Sequence, residues 1–386
     1  MLNSIDSEIS TVTIQENVRL APLTTLQVGG AARYFAELRR EDEVREAAQF
    51  AKTRSLPLFV LGGGSNLVVA DSGWPGLVLR IAIGGIANPT TNDATGNAVV
   101  FSVGAGVNWD DFVAQAVAQN CAGVECLSGI PGSVGGTPVQ NVGAYGQEVA
   151  DTIESVRALD LRAPDKKDCI VVLPKPACGF RYRASIFNGA ERGRYIILRV
   201  NYRLQRGGAP NLKYADLQKY FAGRVQESFS ERPADKKTTP SLAETRAVVR
   251  ERRRSKGMLI VPGDEDCRSA GSFFKNPVLS EAQFKELAER AASKGLEIPS
   301  YPALDAQQKV SAAWLVEHAG FSKGYATGAA GISHKHALAL INRGNAKASD
   351  IIGLKDEIQH GVQEAWGILL EPEPVFVGFP GAPDFL

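Results

Sequence analysis

The sequence has no surplus of charge of either sign: 43 Lys and Arg stand against 42 Asp and Glu, a net charge of +1 over 386 residues. A nucleic-acid clamp carries a basic excess, so that class of partner is excluded. No apolar run approaches the ~20 residues of a membrane-spanning helix. The opening Met1–Ser10 carries acids and lacks the basic end and apolar stretch of a signal peptide. Cysteine is sparse: Cys121, Cys126, Cys169, Cys178 and Cys267 are an odd number with no C-x-x-C pair, which suits reduced thiols better than a disulfide framework. Histidine is scarcer still, with His318, His334, His336 and His360 and none before them. His334 and His336 are two apart, not the i,i+4 spacing of a helical zinc pair, so no metal is expected. What these absences leave is a cytoplasmic globular chain, long enough for two or three domains.

Glycine is abundant instead, and unevenly so. Of 39 glycines, 17 fall between Gly62 and Gly146, one residue in five against an average near 7%. Something in that window uses the backbone itself. Around it the pattern is α+β. Glu41–Thr53 reads as a helix with Val44, Ala47, Ala48 and Ala51 on one face. Leu56–Leu61, Leu67–Ala70, Leu77–Ile81, Ala98–Val103, Ile153–Leu161, Ile170–Leu173 and Tyr195–Leu204 read as strands, and Asp110–Asn120 as a helix. Gly207–Pro210 is a turn signal and a boundary, and Glu231–Lys237 a linker. Beyond it Ser241–Lys256, Ser280–Lys294, Ser311–Ala319 and Asp350–Trp366 have helical spacing, and Leu369–Val377 reads as a last strand. The run Arg250, Arg252, Arg253, Arg254 and Lys256 reads as one solvated helix face, because Glu244 and Glu251 are interspersed with it.

Gly62-Gly63-Gly64-Ser65-Asn66 follows an apolar strand. Glycines there permit positive φ and close approach of backbone N–H groups to an anion, while Ser65 and Asn66 add side-chain hydrogen bonds. The loop is a phosphate cradle or a plain tight turn. No G-K-[ST] follows, so it is not a Walker A loop. Trp109 stands where the third glycine of a dinucleotide fingerprint would follow Gly104 and Gly106. A second segment runs from Leu127-Ser128-Gly129-Ile130-Pro131-Gly132-Ser133-Val134-Gly135-Gly136 to Gln140-Asn141-Val142-Gly143-Ala144-Tyr145-Gly146. It alternates glycine with polar side chains and offers almost no apolar core face. Two separated glycine loops suit a dinucleotide with a pyrophosphate.

The pair of loops resembles the FAD-binding domain of the vanillyl-alcohol-oxidase, p-cresol methylhydroxylase-like (PCMH) superfamily. The string from Ser128 to Gly146 resembles one branch of it, the UDP-N-acetylenolpyruvoylglucosamine reductases (MurB family) of peptidoglycan synthesis. Four further blocks carry the resemblance: Tyr182-Arg183-Ala184-Ser185-Ile186-Phe187, Ala270-Gly271-Ser272-Phe273-Phe274-Lys275-Asn276-Pro277, Lys309–Ala330, and Leu370-Glu371-Pro372-Glu373. The resemblance implies an α+β chain: a two-part PCMH-type FAD-binding region, residues 1–72 and 73–208, and a C-terminal α+β substrate-binding domain, 209–386. The last residues can return to the FAD region. It also implies non-covalent FAD, NADPH as hydride donor, and a cytoplasmic monomer that reduces the small molecule UDP-N-acetylglucosamine enolpyruvate to UDP-N-acetylmuramate.

Hydride delivery to the terminal carbon of an enolpyruvyl ether leaves negative charge on the next carbon, delocalised into the carboxylate. Such a site needs a fixed cation and an acid that protonates the carbon from one face. Arginine suits the first role because its planar fork stays ionised. The resemblance assigns that role to Arg183, proton donation to Ser272, and stabilisation and protonation of the enol-type intermediate to Glu373, with Glu371 as the other register. A serine is a poor acid in water, so a neighbouring lysine or a bound water must assist Ser272. Pro374 and Val375 follow Glu373 where the family has Val and often a basic residue. The resemblance therefore does not carry over one contact to substrate or cofactor phosphate, and proline places Glu373 on an edge strand or bulge.

The resemblance further assigns the cofactor to Gly62, Gly63, Gly64, Ser65, Asn66, Leu67, Ser128, Ile130, Pro131, Gly132, Gly135, Gly136, Gln140, Asn141, Gly143 and Ala144. It assigns the substrate to Tyr145, Tyr182, Tyr214, Lys256, Lys275, Asn276 and Lys309. Tyr214 matches the tyrosine loop that closes over the substrate diphosphate in the longer of the family's two types; the plainer reading is a helix-start aromatic packed on the core. Two rivals remain. One is an oxidase with covalent flavin, where histidyl linkage is excluded but Cys121 or Cys126 would serve. The other is a non-catalytic sensor.

Overall fold

The computed structural model describes residues 12–87, 89–91, 96–162, 169–228, 239–303 and 305–381; the linker expected at Glu231–Lys237 lies outside them. The chain opens with β1 (Gln15–Arg19), β2 (Ala31–Leu38), α1 (Glu41–Thr53), β3 (Leu58–Leu61), β4 (Leu67–Val69) and β5 (Trp74–Ile81). Four of these strands form a sheet in the order β1-β2-β5-β3, with β5 parallel to both neighbours. A strand between parallel neighbours is covered on both faces, and Leu77, Val78 and Leu79 are all buried. α1 buries Val44 and three short alanines, Ala47, Ala48 and Ala51, so it lies close against β2 and β5.

A second, antiparallel sheet follows. Its four long strands are β6 (Ala98–Gly104), followed by α2 (Trp109–Ala118), then β7 (Ile153–Asp160), β8 (Ile170–Pro174) and β9 (Tyr195–Arg206), ordered β8-β7-β9-β6. The two-residue strands Thr90–Thr91 and Cys121–Ala122 add to β6 and β9. Asn108 caps α2 by accepting from Asp110 and Asp111 N–H. Trp109 packs on Phe112 and Tyr202, and its indole donates to the Leu127 carbonyl at 2.9 Å. The residue that breaks the dinucleotide fingerprint is thus a core anchor that fixes the start of the second glycine loop.

The remainder contains α3 (Ala215–Ser228), α4 (Leu242–Ser255), β10 (Ser269–Ser272), β11 (Val278–Leu279), α5 (Glu281–Ser293), β12 (Ser300–Pro302), β13 (Gln308–Val310) and α6 (Ala312–Glu317). It ends with β14 (Ala326–Thr327), β15 (Ala330–Ile332), β16 (Ala339–Asn342), α7 (Ala348–Trp366) and β17 (Val375–Val377). Two small sheets form, β10-β16-β15-β14 and β11-β13-β12. α7 buries Ile351, Leu354, Ile358, Val362 and Trp366 and packs on β15 and β16.

Three ties join this part to segments between the strands of the first sheet. β17 pairs in parallel with β4. Asp71 accepts from Ala348 N at 2.7 Å and Ser349 N at 3.0 Å, capping α7 from a distant loop. Asn342, buried, donates to Leu26 and Gln27 carbonyls at 3.2 Å each.

Two expectations change. The last strand is only Val375–Val377, because Pro372 and Pro374 deny the preceding residues a continuous ladder. The arginines of α4 are not one solvated face. Arg246 pairs with Asp110 at 2.5 Å, Arg250 pairs with the same carboxylate, and Arg253 donates to Gly129 O at 3.0 Å and Met258 O at 2.7 Å. The helix is pinned to α2 and to the second glycine loop by the charges that made it look solvated.

Candidate active site

The turn between β3 and β4 is Gly62–Asn66, and it meets the second glycine loop backbone to backbone. A Cβ added at Gly63 would lie 2.4 Å from Gly132 Cα, so only glycine permits the approach. Ser65 Oγ donates to Pro131 O at 2.9 Å. Asn66 Nδ2 donates to Gln140 Oε1 at 2.6 Å and to Glu373 O at 3.3 Å. Between these loops and the C-terminal part lie two adjoining cavities of about 330 and 470 Å³, which share Gly62, Ser133, Gly136 and Glu373. At Gly136 an added Cβ would meet nothing nearer than Ser133 Oγ at 4.0 Å; the space beside its backbone is the cavity itself. An extended group with a pyrophosphate fits this double, glycine-walled space.

Most residues expected at the cofactor line it: Gly62, Gly63, Gly64, Ser65, Asn66, Leu67, Ile130, Pro131, Gly132, Gly136, Gln140 and Gly143 in the smaller cavity, Gly135 in the larger. Ser128, Asn141 and Ala144 are placed differently. Ser128 is buried and donates to Glu125 O at 2.6 Å. Asn141, at φ 46°, donates to Glu148 Oε2 and Arg181 O. Ala144 pairs with Gln147 in a short hairpin. The side chains of Ser128 and Asn141 are spent on holding the loop, and Ala144 is held within it.

Arg183, Ser272 and Glu373 all line the smaller cavity. Arg183 has φ 54°, a left-handed backbone uncommon for a residue with a Cβ and concentrated at functional sites. Its Nη2 donates to Gly143 O at 3.1 Å. Its Nε lies 3.1 Å from Glu373 Oε1, but off the hydrogen-bonding line, so that buried N–H has no acceptor among the described residues. Burial pushes the Glu373 carboxyl above its ordinary range, against the pull of Arg183 and Lys275. Glu371 instead pairs with Lys275 at 2.5 Å and is 70% exposed at its side chain.

Pro374 falls where the chain changes partners. Glu373 N donates to Phe273 O and Val375 N to Asn66 O, both at 2.9 Å. The one residue between them is asked for no donor, so Glu373 sits at the crossing between two sheets.

Ser272 closes β10, and its hydroxyl is 3.4 Å from His336 Nε2. Burial, then Lys256 and Lys323, push the His336 ring from 6.5 down to about 4. The imidazole is therefore neutral at neutral pH and can exchange a hydrogen bond with Ser272. No motif marks His336 in the sequence.

The comparisons with known proteins agree with this geometry. A model of an FAD binding domain matches residues 32–163, and a model of the UDP-N-acetylenolpyruvoylglucosamine reductase C-terminal domain matches 262–377. The UDP-N-acetylenolpyruvoylglucosamine reductase of Thermobifida fusca is 44% identical over 95% of this chain and 99% of its own length. The chain belongs to the UDP-N-acetylenolpyruvoylglucosamine reductase family. The Streptomyces coelicolor reductase is 42% identical over 93% of this chain and 89% of its own. The crystal structure of the Thermus caldophilus reductase superposes with a TM-score of 0.61 at 25% identity, covering 95% and 99% of the two chains.

In this reductase-family chain the residues expected at the substrate fall into clusters. Tyr145, at φ 49°, meets Tyr214 edge-on with ring centroids 5.4 Å apart. Lys309 Nζ lies 5.0 Å over the Tyr182 ring, and the Arg183 guanidinium lies 5.4 Å from the same ring. Tyr301, not anticipated, is 59% exposed and pairs with Lys309 across β12 and β13. Burial, then Asp216 and Tyr301, raise the Tyr214 hydroxyl. Lys256 ends α4 and acts on His336 through its charge. Asn276 spends its side-chain oxygen on Ala312 N at 2.9 Å, a cap for α6. Among the described residues no helix is long and apolar enough to cross a membrane.

Proposed function

We propose that the chain catalyses the NADPH-dependent reduction of UDP-N-acetylglucosamine enolpyruvate to UDP-N-acetylmuramate in peptidoglycan synthesis, with non-covalent FAD. The observation that carries this reading is the convergence of Arg183, Ser272 and Glu373 on one cavity walled by two glycine loops. The loops Gly62–Asn66 and 130–136 would hold FAD, with Gln140 and Gly143 beside them. When bound, FAD supplies the hydride it takes from NADPH. Cys121 and Cys126 are both fully buried, and Cys126 donates to Asn211 O at 3.1 Å, which favours a flavin that is not tethered to them.

The roles of the chain's own residues follow from their surroundings. Arg183 keeps an unspent Nε proton beside Glu373, and its fork grips the substrate carboxylate as charge builds on it. Burial raises the Glu373 carboxyl above its ordinary value, against Arg183 and Lys275, which suits a group that stabilises and protonates the enol-type intermediate. The Ser272 hydroxyl delivers a proton to the carbon next to the carboxylate, with neutral His336 orienting it. Tyr145, Tyr182, Tyr214, Lys256, Lys275, Asn276 and Lys309 surround the UDP-sugar or support the groups that do. Residues 1–72 and 73–208 form the two-part flavin region and 209–386 the substrate domain. The same reading makes the chain a cytoplasmic monomer that takes small molecules and no nucleic acid.

The test is a visible spectrum followed through both half-reactions. NADPH should bleach the flavin, and the enolpyruvyl substrate should restore its colour. In Ser272→Ala the bleaching should persist at its normal rate, while recolouring slows by roughly 10²–10³, as for other single lost transition-state donors. Equal slowing of both halves would remove Ser272 from its assigned role, and a preparation unable to take up flavin would sink the whole reading.

A further inference from the structure

Glu125 is a carboxylate with no exposed surface, in the short turn before the second glycine loop, and the steps above make no use of it. Among the described residues its hydrogen-bond donors are neutral N–H groups. Oε1 accepts from Gln147 Nε2 and from Asn211 N, both at 2.8 Å. Oε2 accepts from Gly123 N at 2.7 Å. Two oxygens that both accept are what this side chain offers and a side-chain amide does not.

Each long-range partner leads to a tyrosine. Gln147 lies two residues after Tyr145, and its orientation is fixed because its carbonyl oxygen accepts from Cys126 N at 2.8 Å. Asn211 opens the segment that reaches Tyr214 at the head of α3. Its Oδ1 accepts from Lys213 N at 3.0 Å and its Nδ2 donates to Gly146 O at 3.2 Å. One carboxylate therefore holds the two segments whose tyrosines meet edge-on, one of them in the left-handed backbone region. Leu217 of α3 completes the arrangement by packing in an apolar cluster with Cys126, Val248 and Val249.

We infer that Glu125 is a positioning residue for substrate binding: it holds Asn211 and Gln147 so that Tyr214 is presented beside Tyr145 before the UDP-sugar arrives. The inference rests on the reading of Tyr214 as a substrate clamp. Preorganisation of this kind lowers the ordering cost at binding and leaves the flavin chemistry alone.

The decisive variants are Glu125→Met, Tyr214→Ala and their combination, each studied as the flavin-loaded full chain. Glu125→Met removes the acceptor shared by Gln147 Nε2 and Asn211 N; Glu125→Gln would not, because an amide can keep its oxygen at that position. Glu125→Met should raise KM for the enolpyruvyl substrate at least roughly tenfold, the worth of one buried hydrogen bond. Flavin content and the rate of flavin reduction at saturating NADPH should not change. Tyr214→Ala should raise KM on its own and add nothing further in the Glu125→Met background, since both act through one arm. An unchanged KM in Glu125→Met, or effects that multiply in the double variant, would overturn the inference. A wild-type KM in Tyr214→Ala would remove the clamp reading itself, and the inference with it. Should Glu125→Met fail to hold flavin, Gln147→Met decides in its place by the same two readouts, because it removes the Nε2 donor to Glu125 and leaves the carboxylate present.

Discussion

Ser272 faces a ring that burial keeps neutral, and that pairing has a measurable cost in acid. Between pH 6.5 and about 4 the unfolded chain protonates His336 while the folded chain does not. The unfolded state then binds more protons, so stability falls as the pH drops through this window. His336→Gln should remove that contribution: its urea midpoint should decline less between pH 6.5 and 4 than that of the unaltered protein. Parallel declines would show that the ring is not the group responsible. That Arg183, Ser272 and Glu373 would share one cavity was legible because each stands in a dense local block of sequence. His336 was not, since it meets Ser272 across 64 positions and no local spacing announces it. The left-handed backbones of Tyr145 and Arg183 were equally silent, because only glycine advertises positive φ in advance.

At the scale of elements, patterning succeeded where one face is uniformly apolar and failed where charge is turned inward. The expected span and buried face of α1 are those found, because Val44 and three alanines leave no other face to bury. α4 misled, because its arginines are satisfied by an aspartate more than 130 residues earlier and by backbone carbonyls. Asp110 is the hub of that clasp, accepting also from Gly129 N at 2.6 Å. Burial opposes its ionisation, but Arg246, Gly129 N–H and Arg250 together hold its carboxyl below the usual 3.8. The stability it lends is complete above pH 3.8 and is lost as the pH falls through the lowered value. Asp110→Asn strands two arginines and should cost roughly 2–3 kcal/mol in chemical denaturation at neutral pH. A loss below a few tenths would mean that α4 is held by its apolar contacts alone. β1, β2 and α3 were not read from the sequence. β1 is mostly exposed, with only Val18 partly covered, and so lacks the alternation that marks a half-buried strand.

For the molecule as a whole, the cavity walls come from segments far apart in sequence, from Phe59 to Val375. A ligand bound there stabilises the folded state by mass action, by about 2.7 kcal/mol when its free concentration is a hundred times Kd. Stripping FAD should therefore lower the calorimetric Tm, and adding it back should restore it. An unchanged Tm would mean that the folded chain does not bind flavin. The pairing of β17 with β4 also has a consequence in time. Val375–Val377 supply the strand beside Leu67–Val69, and the turn just before them carries Glu373. During synthesis the first glycine loop must therefore wait, without its neighbouring strand, until Val375–Val377 have left the ribosome, roughly 300 residues later. Flavin loading is then expected only after that strand has emerged, and a nascent polypeptide halted before residue 373 should carry the glycine loops but no stable yellow colour.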